Sequence, residues 1–179
     1  MELDKNYAMV ISTNAGLWAY SIGDTVKFVS KNPYKILVTG RIKHFISAFG
    51  EHVIGEEVER AMKATLALNM EVEIVEFTVA PKVAEGDGNS YHEWFIAFSK
   101  MPNEMDKFAS DLDAAMVSAN TYYADLILGN VLSKLKIVPL KEDAFIEYMK
   151  SQGKLGGQNK VPRLSNDRML VEGLMEWRR

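Results

Sequence analysis

Two amphipathic stretches, each flanked by apolar runs too short to be helices, leave this chain few architectures. Ile54, Val58, Ala61, Met62 and Leu66 recur at helical spacing in one stretch, and Met105, Phe108, Ala109, Leu112, Ala115, Met116 and Ala119 in the other. Each set forms one apolar stripe that has to be buried against a second layer. Around them, residues 45–49, 70–80, 91–98 and 136–140 are short apolar runs that read as strands. The order is β-α-β-β-α-β, that of a split-βαβ, ferredoxin-like layer, and the fold class is α+β. Finer signals refine it. The apolar phase switches near Ile74-Val75, which predicts a bulge or burial on both faces. Glu85-Gly-Asp-Gly-Asn-Ser90 reads as a hairpin loop. Asn103, with Asp106 three residues on, reads as a helix cap. Further helices are expected over 122–128, 143–151 and 166–177.

The first forty residues are different. Runs at 7–12, 17–20, 25–29 and 34–38 read as four strands, with the turn of one hairpin at Lys31-Asn32-Pro33. No helix is available to cover them, and a sheet fragment of this kind has marginal independent stability. Residues 1–41 therefore read as the β-rich edge of a preceding domain, and 42–179 as a C-terminal α+β domain.

Residues 18–59 carry most of the chemistry. Tyr20-Ser-Ile-Gly23-Asp24 ends an apolar strand with a glycine and a carboxylate. Glycine permits a sharp turn there. An ionised aspartate offers two acceptor oxygens, suited to a vicinal diol such as a ribose. Gly40-Arg41-Ile-Lys43 places two cations just after a later strand, and Gly50 and Glu57-Val-Glu59 follow. Each element alone is an ordinary turn or helix start; together they read as half of a nucleotide site. A second candidate is the loop from Gly153 to Ser165. Gly156-Gly157 makes it deformable, Pro162 holds Val161 extended, and Lys154, Lys160 and Arg163 supply positive charge. A solvated basic loop has the same composition. The three histidines, His44, His52 and His92, form no metal-spaced pair. His44 could touch a substrate, though a structural or surface role is the commoner one, and His92 sits in a strand, where packing is the commoner role.

Tyr20-x-x-Gly23-Asp24, Gly40-Arg41-x-Lys43, Ile46, Gly50 and Glu57-x-Glu59 resemble the tail of the adenylate-forming enzymes. More narrowly, Thr13-Asn-Ala-Gly-Leu-Trp-Ala-Tyr-Ser-Ile-Gly-Asp24 and Ser151-Gln-Gly-Lys-Leu-Gly-Gly-Gln158-Asn159-Lys160-Val-Pro162-Arg163 resemble the auxin-responsive promoter (Gretchen Hagen) family of acyl acid amido synthetases, in its bacterial form. Ser21 stands where that family commonly has arginine, and Asp143-Ala144-Phe145 replaces a Gly-Thr-Phe-like turn. The resemblance implies a two-step ligase. A carboxylic acid reacts with ATP, accompanied by Mg²⁺, to give an acyl-adenylate, and an amine, expected to be an amino acid, then takes the acyl group. It implies that Tyr20, Asp24 and Arg41 serve the nucleotide, with Asp24 on the ribose. Lys43 becomes the hinge of a mobile domain, and Lys160 the catalytic lysine at the α-phosphate. The preceding domain becomes an N-terminal adenylation domain, the chain's main partner.

A Gly/Ser/Thr-rich loop to cradle phosphates does not precede Tyr20, so the expectation is the C-terminal portion of a longer enzyme, itself inactive. The rival is a free-standing ferredoxin-like module that binds a protein partner. Composition narrows the remaining classes. With 47% hydrophobic and 25% charged residues and a net charge of −3, nothing points to nucleic acid or an anionic membrane. The chain has no cysteine, which excludes disulfides and thiolate chemistry and is compatible with the cytoplasm. The expected metal content of the protein itself is none.

Overall fold

The computed structural model describes residues 1–41, 45–84, 88–154 and 160–179. The opening block is a three-stranded antiparallel sheet in the order β1-β2-β3, formed by β1 (Asn6–Ile11), β2 (Tyr20–Lys31) and β3 (Tyr34–Arg41). The runs at 17–20 and 25–29 are expected as two strands; of the first run only Tyr20 is in a strand, and it is the same strand, β2, that holds the second. Gly23 makes no turn between them. Ala8 pairs with Thr25 but Val10 with Ser21, so β2 carries two extra residues, and Gly23 sits in that bulge at φ +83°. The backbone freedom that favours glycine in a turn serves equally well in a bulge, and pairing with β1 decides between them.

Beyond it, β4 (Phe45–Ile46) pairs with β5 (Val53–Ile54), and α1 (Gly55–Leu68) follows. The strand expected over 45–49 is thus shorter and joins a separate ribbon. The main sheet has the order β6-β7-β8, from β6 (Glu73–Lys82), β7 (Tyr91–Lys100) and β8 (Lys136–Leu140). β6 and β7 are antiparallel, while β7 and β8 run parallel. The bulge expected at Ile74-Val75 is present as register shifts on either side of Ile74. Between β7 and β8 lie α2 (Met105–Ala119) and α3 (Thr121–Leu128). After β8 come α4 (Ala144–Ser151), α5 (Met169–Leu174) and a 3₁₀ turn over Met175–Trp177. The α+β class and the expected element order both stand. The hairpin loop expected at 85–90 lies partly outside the described residues.

β7 is buried on both faces, which makes the domain three layers deep. Trp94, Ile96 and Phe98 point to one core, with Phe77 and Val79 of β6, the stripe of α1 (Val58, Ala61, Met62) and that of α2 (Phe108, Leu112, Met116). Phe95 and Ala97 point to the other, with Val138, Leu140, Ala144, Phe145, Val171 and Leu174. Asn103 does not cap α2, which starts at Met105 with no side-chain cap. Asn120 does cap, since its side-chain oxygen accepts from Tyr123 N at 2.7 Å to start α3.

α5 meets α4 through Gly173. A Cβ at that position would lie 2.3 Å from Cε2 of the Tyr148 ring, well below van der Waals contact. Gly173→Ala should therefore cost about 1–3 kcal/mol, the usual cost of overpacking, even though alanine is the better helix former. A thermal melt of the full-length protein checks this.

Candidate functional site

Three parts of the fold carry the expected site residues. The first is the end of the opening sheet. Asp24 stands directly opposite Arg41 in the β2–β3 register, at the point where β3 leaves the sheet. Asp24 is half-buried and has an interaction partner. Tyr20 lies at the start of β2, across from Ile11, on the far side of the bulge and 52% exposed. The bulge therefore separates Tyr20 from Asp24, and the sheet brings Asp24 and Arg41 together. Beneath them Thr39 Oγ1 donates to Asn6 Oδ1 at 2.8 Å and lies 3.0 Å from Thr25 Oγ1. Lys27 Nζ reaches Glu56 Oε1 at 2.8 Å and ties this sheet to the start of α1. Lys43 and His44 lie outside the described residues.

The second part is the segment 160–165. Thr78 Oγ1 donates to the Pro162 carbonyl at 2.7 Å, Val79 N to the Arg163 carbonyl at 2.9 Å, and Ser165 N to the Val79 carbonyl at 3.1 Å. Leu164 thus bridges Val79 in parallel fashion and is fully buried. Arg163 is not a free loop cation. Its guanidinium bonds Glu59 of α1 and Glu76 of β6, donates to the Phe77 carbonyl at 3.2 Å, and covers the Phe77 ring at 4.5 Å. Burial pushes its pKa down, but the two carboxylates outweigh that and raise it. Lys160, by contrast, is exposed, three residues before this anchor. Gly156 and Gly157 lie outside the described residues.

The third part is the loop between β4 and β5, where the sequence marked Gly50 and His52 but not Glu51. Glu51 and His92 are both fully buried, with Glu51 Oε1 at 2.9 Å from His92 Nε2. Glu51 Oε2 accepts from Phe49 N at 2.9 Å. Burial pushes the Glu51 carboxyl up, yet the bonds from His92 and the loop backbone prevail and hold it below the usual carboxylate range. The His92 ring lies 5.2 Å from that of Tyr123, whose hydroxyl donates to Asp113 Oδ1 at 2.7 Å. Burial, then the Asp113 charge, raise the Tyr123 pKa. Close by, Glu57 Oε2 accepts from Ile54 N at 3.0 Å and from Asn120 Nδ2 at 2.9 Å. Burial nonetheless raises the Glu57 pKa. On the outer side of the loop, exposed His52 has its Nδ1 3.0 Å from Ser47 Oγ, and Ser47 N donates to Asn166 Oδ1 at 3.0 Å. Glu51 and His92 are 41 positions apart and neither has a periodic signature, so only the fold could reveal the pair.

Among the described residues no group of three His, Cys, Asp or Glu is placed to hold a metal ion, and no helix is long and apolar enough to cross a membrane.

A family model described as the GH3 family C-terminal domain matches residues 56–169, and one described as the GH3 family central domain matches residues 1–41. Among solved structures, a GH3.15 acyl acid amido synthetase is similar at a TM-score of 0.79 and 17% identity, over 100% of this chain and 35% of that one. AtGH3.15 acyl acid amido synthetase in complex with 2,4-DB is similar at a TM-score of 0.76 and 16% identity, over 99% of this chain and 33% of that one. At such identities the likeness is one of fold. No curated protein matches the chain. It spans about a third of the length of these solved structures. On the match to residues 56–169, this chain belongs to the GH3 family and corresponds to its C-terminal part.

Proposed function

We propose that the chain is the C-terminal part of an ATP-dependent acyl acid amido synthetase, a ligase acting in the cytoplasm. It would join a carboxylic acid to an amine, an amino acid being the expected acceptor. The observation that carries this reading is the register of β2 and β3, which sets Asp24 beside Arg41 at the last strand pair before the second domain. Around it, residues 1–41 form the edge of the N-terminal adenylation domain, and 42–179 form the mobile unit. Lys43 is the pivot between them.

The roles are those the family resemblance implies, and the charge of each residue suits it. The Asp24 carboxylate accepts hydrogen bonds from the ribose hydroxyls of ATP, with Tyr20 and Arg41 contributing to the nucleotide side. Mg²⁺ enters with ATP and is held mainly by phosphate oxygens. Lys160 brings an ammonium to the α-phosphate in one orientation of the domain, offsetting charge as pyrophosphate departs.

The test is ATP–pyrophosphate exchange by the full-length protein across a panel of carboxylic acids, followed by amide formation when amino acids are added. Acid-dependent exchange from the full-length protein and none from residues 1–179 alone is the expected result. Robust exchange from the 179-residue chain would defeat the reading as a C-terminal part. No acid-dependent exchange from the full-length protein would leave the interaction-module reading in its place.

A further inference from the structure

The loop between β4 and β5 is built to present one side chain. Glu51 and Val53 are buried, while His52 between them is exposed and has φ +47°. That left-handed conformation is uncommon for any residue but glycine, and strain of this kind persists only where surrounding contacts enforce it. Here they do. Glu51 locks the loop to His92, Ser47 N is fixed by Asn166, and the Tyr122 ring stands edge-on to the His52 imidazole at 6.1 Å between centroids. Ser47 Oγ, at 3.0 Å, occupies Nδ1. Among the described residues Nε2 has no partner, so it faces outward, on the first loop after the residues placed at the hinge.

We propose that His52 is the general base that deprotonates the acceptor amine in the acyl-transfer step. This rests on the synthetase reading above. In the tautomer whose Nδ1–H donates to Ser47 Oγ, Nε2 keeps its lone pair. At neutral pH the amino group of an amino acid is an ammonium ion and cannot attack. Nε2 takes one proton from it, and the freed nitrogen attacks the acyl-adenylate carbonyl. The C–N bond forms, and the bond from the acyl carbon to the phosphate oxygen breaks. AMP leaves with that electron pair, and the second nitrogen-bound proton passes to water. Among the described residues the groups in contact with the imidazole are the Ser47 hydroxyl and the Tyr122 ring; the Glu51 carboxylate is bonded to His92 in the core.

The test uses the full-length protein with His52→Asn, since asparagine tolerates positive φ but takes up no proton at neutral pH. Transfer from a supplied acyl-adenylate to an amino acid should fall about 10²-fold, with pyrophosphate exchange within about twofold of wild type. Hydroxylamine is uncharged at neutral pH, so its acylation should be nearly unaffected. Ser47→Ala, which frees the ring, should lower amino-acid transfer alone by a smaller factor, and this holds the proposal open to test should His52→Asn fold poorly. Unchanged transfer to the amino acid overturns the assignment. Equal loss with amino acid and hydroxylamine also overturns it and leaves His52 as a loop-shaping residue. Absence of acid-dependent exchange in the wild-type protein fails the synthetase reading instead.

Discussion

Lys160→Ala in the full-length protein should lower the adenylation half-reaction by about 10²–10³ while leaving the melting temperature essentially unchanged. The two expectations come from different properties of the same residue. Lys160 is exposed and belongs to neither buried cluster, and substitutions in such places usually stay within about ±0.5 kcal/mol of stability. Its backbone, however, leads straight into Pro162–Ser165, which is bonded along β6 and tied by Arg163 to Glu59 and Glu76. In the proposed mechanism this anchor two residues on sets where the chain that carries the lysine leaves the sheet, and an ammonium held near a departing phosphate offsets its charge. On the proposed reading, transfer from supplied acyl-adenylate should be far less affected, because the domain would by then have turned the lysine away. Normal pyrophosphate exchange would remove Lys160 from the mechanism. A large fall in melting temperature would make it a structural residue.

Removing one member of the Glu51–His92 pair should cost about 3–5 kcal/mol, the usual result of leaving a buried charge without its partner. Among the described residues His92 is the one side chain bonded to fully buried Glu51, and His92→Leu removes it. Glu51→Met combined with His92→Leu should recover much of that loss, since no charge is then left unpaired. Chemical denaturation of the four full-length proteins gives the comparison, and equal stability of His92→Leu and wild type would show that the pair contributes nothing. A pH series adds a sign. The folded pKa of Glu51 lies below the ordinary unfolded value of about 4.3. Its contribution is complete above that unfolded value and is lost as pH falls through the folded one. Glu57, whose pKa is raised, works in the opposite sense. Comparing Glu51→Met with wild type cancels Glu57 and isolates the Glu51 component: wild type should lose more stability on acidification.

Where periodicity alone decides an element, the sequence was sufficient. Lys136–Leu140 and the stripe of α2 came out as expected because burial on a strand or helix face leaves a pattern in neighbouring residues. Gly23-Asp24 misled because a glycine at positive φ looks the same in a turn and in a bulge, and only the partner strand distinguishes them. Asn103 misled because capping depends on where the first helical turn closes, one or two residues either way. In the site, Asp24 and Arg41 could be singled out, but their adjacency across β2 and β3 could not. Arg163 read as loop charge because its partners, Glu59 and Glu76, lie far off in the chain. The strain at His52 had no signature at all.

The segment after Lys160 has one more consequence. Leu164 pairs with Val79 on the outer side of β6, while Leu140 of β8 bridges Arg178, with Lys141 N donating to the Trp177 carbonyl and Arg179 N to the Pro139 carbonyl. One stretch, Leu164 to Arg179, thus borders both margins of the three-stranded sheet. A nascent chain synthesised only as far as β8 has its three strands but two unsealed margins, each a template for another nascent polypeptide. Safe completion of this sheet is therefore a late event in biosynthesis, reached only after Trp177 to Arg179 have left the ribosome, and chaperone protection is most valuable in the interval before it.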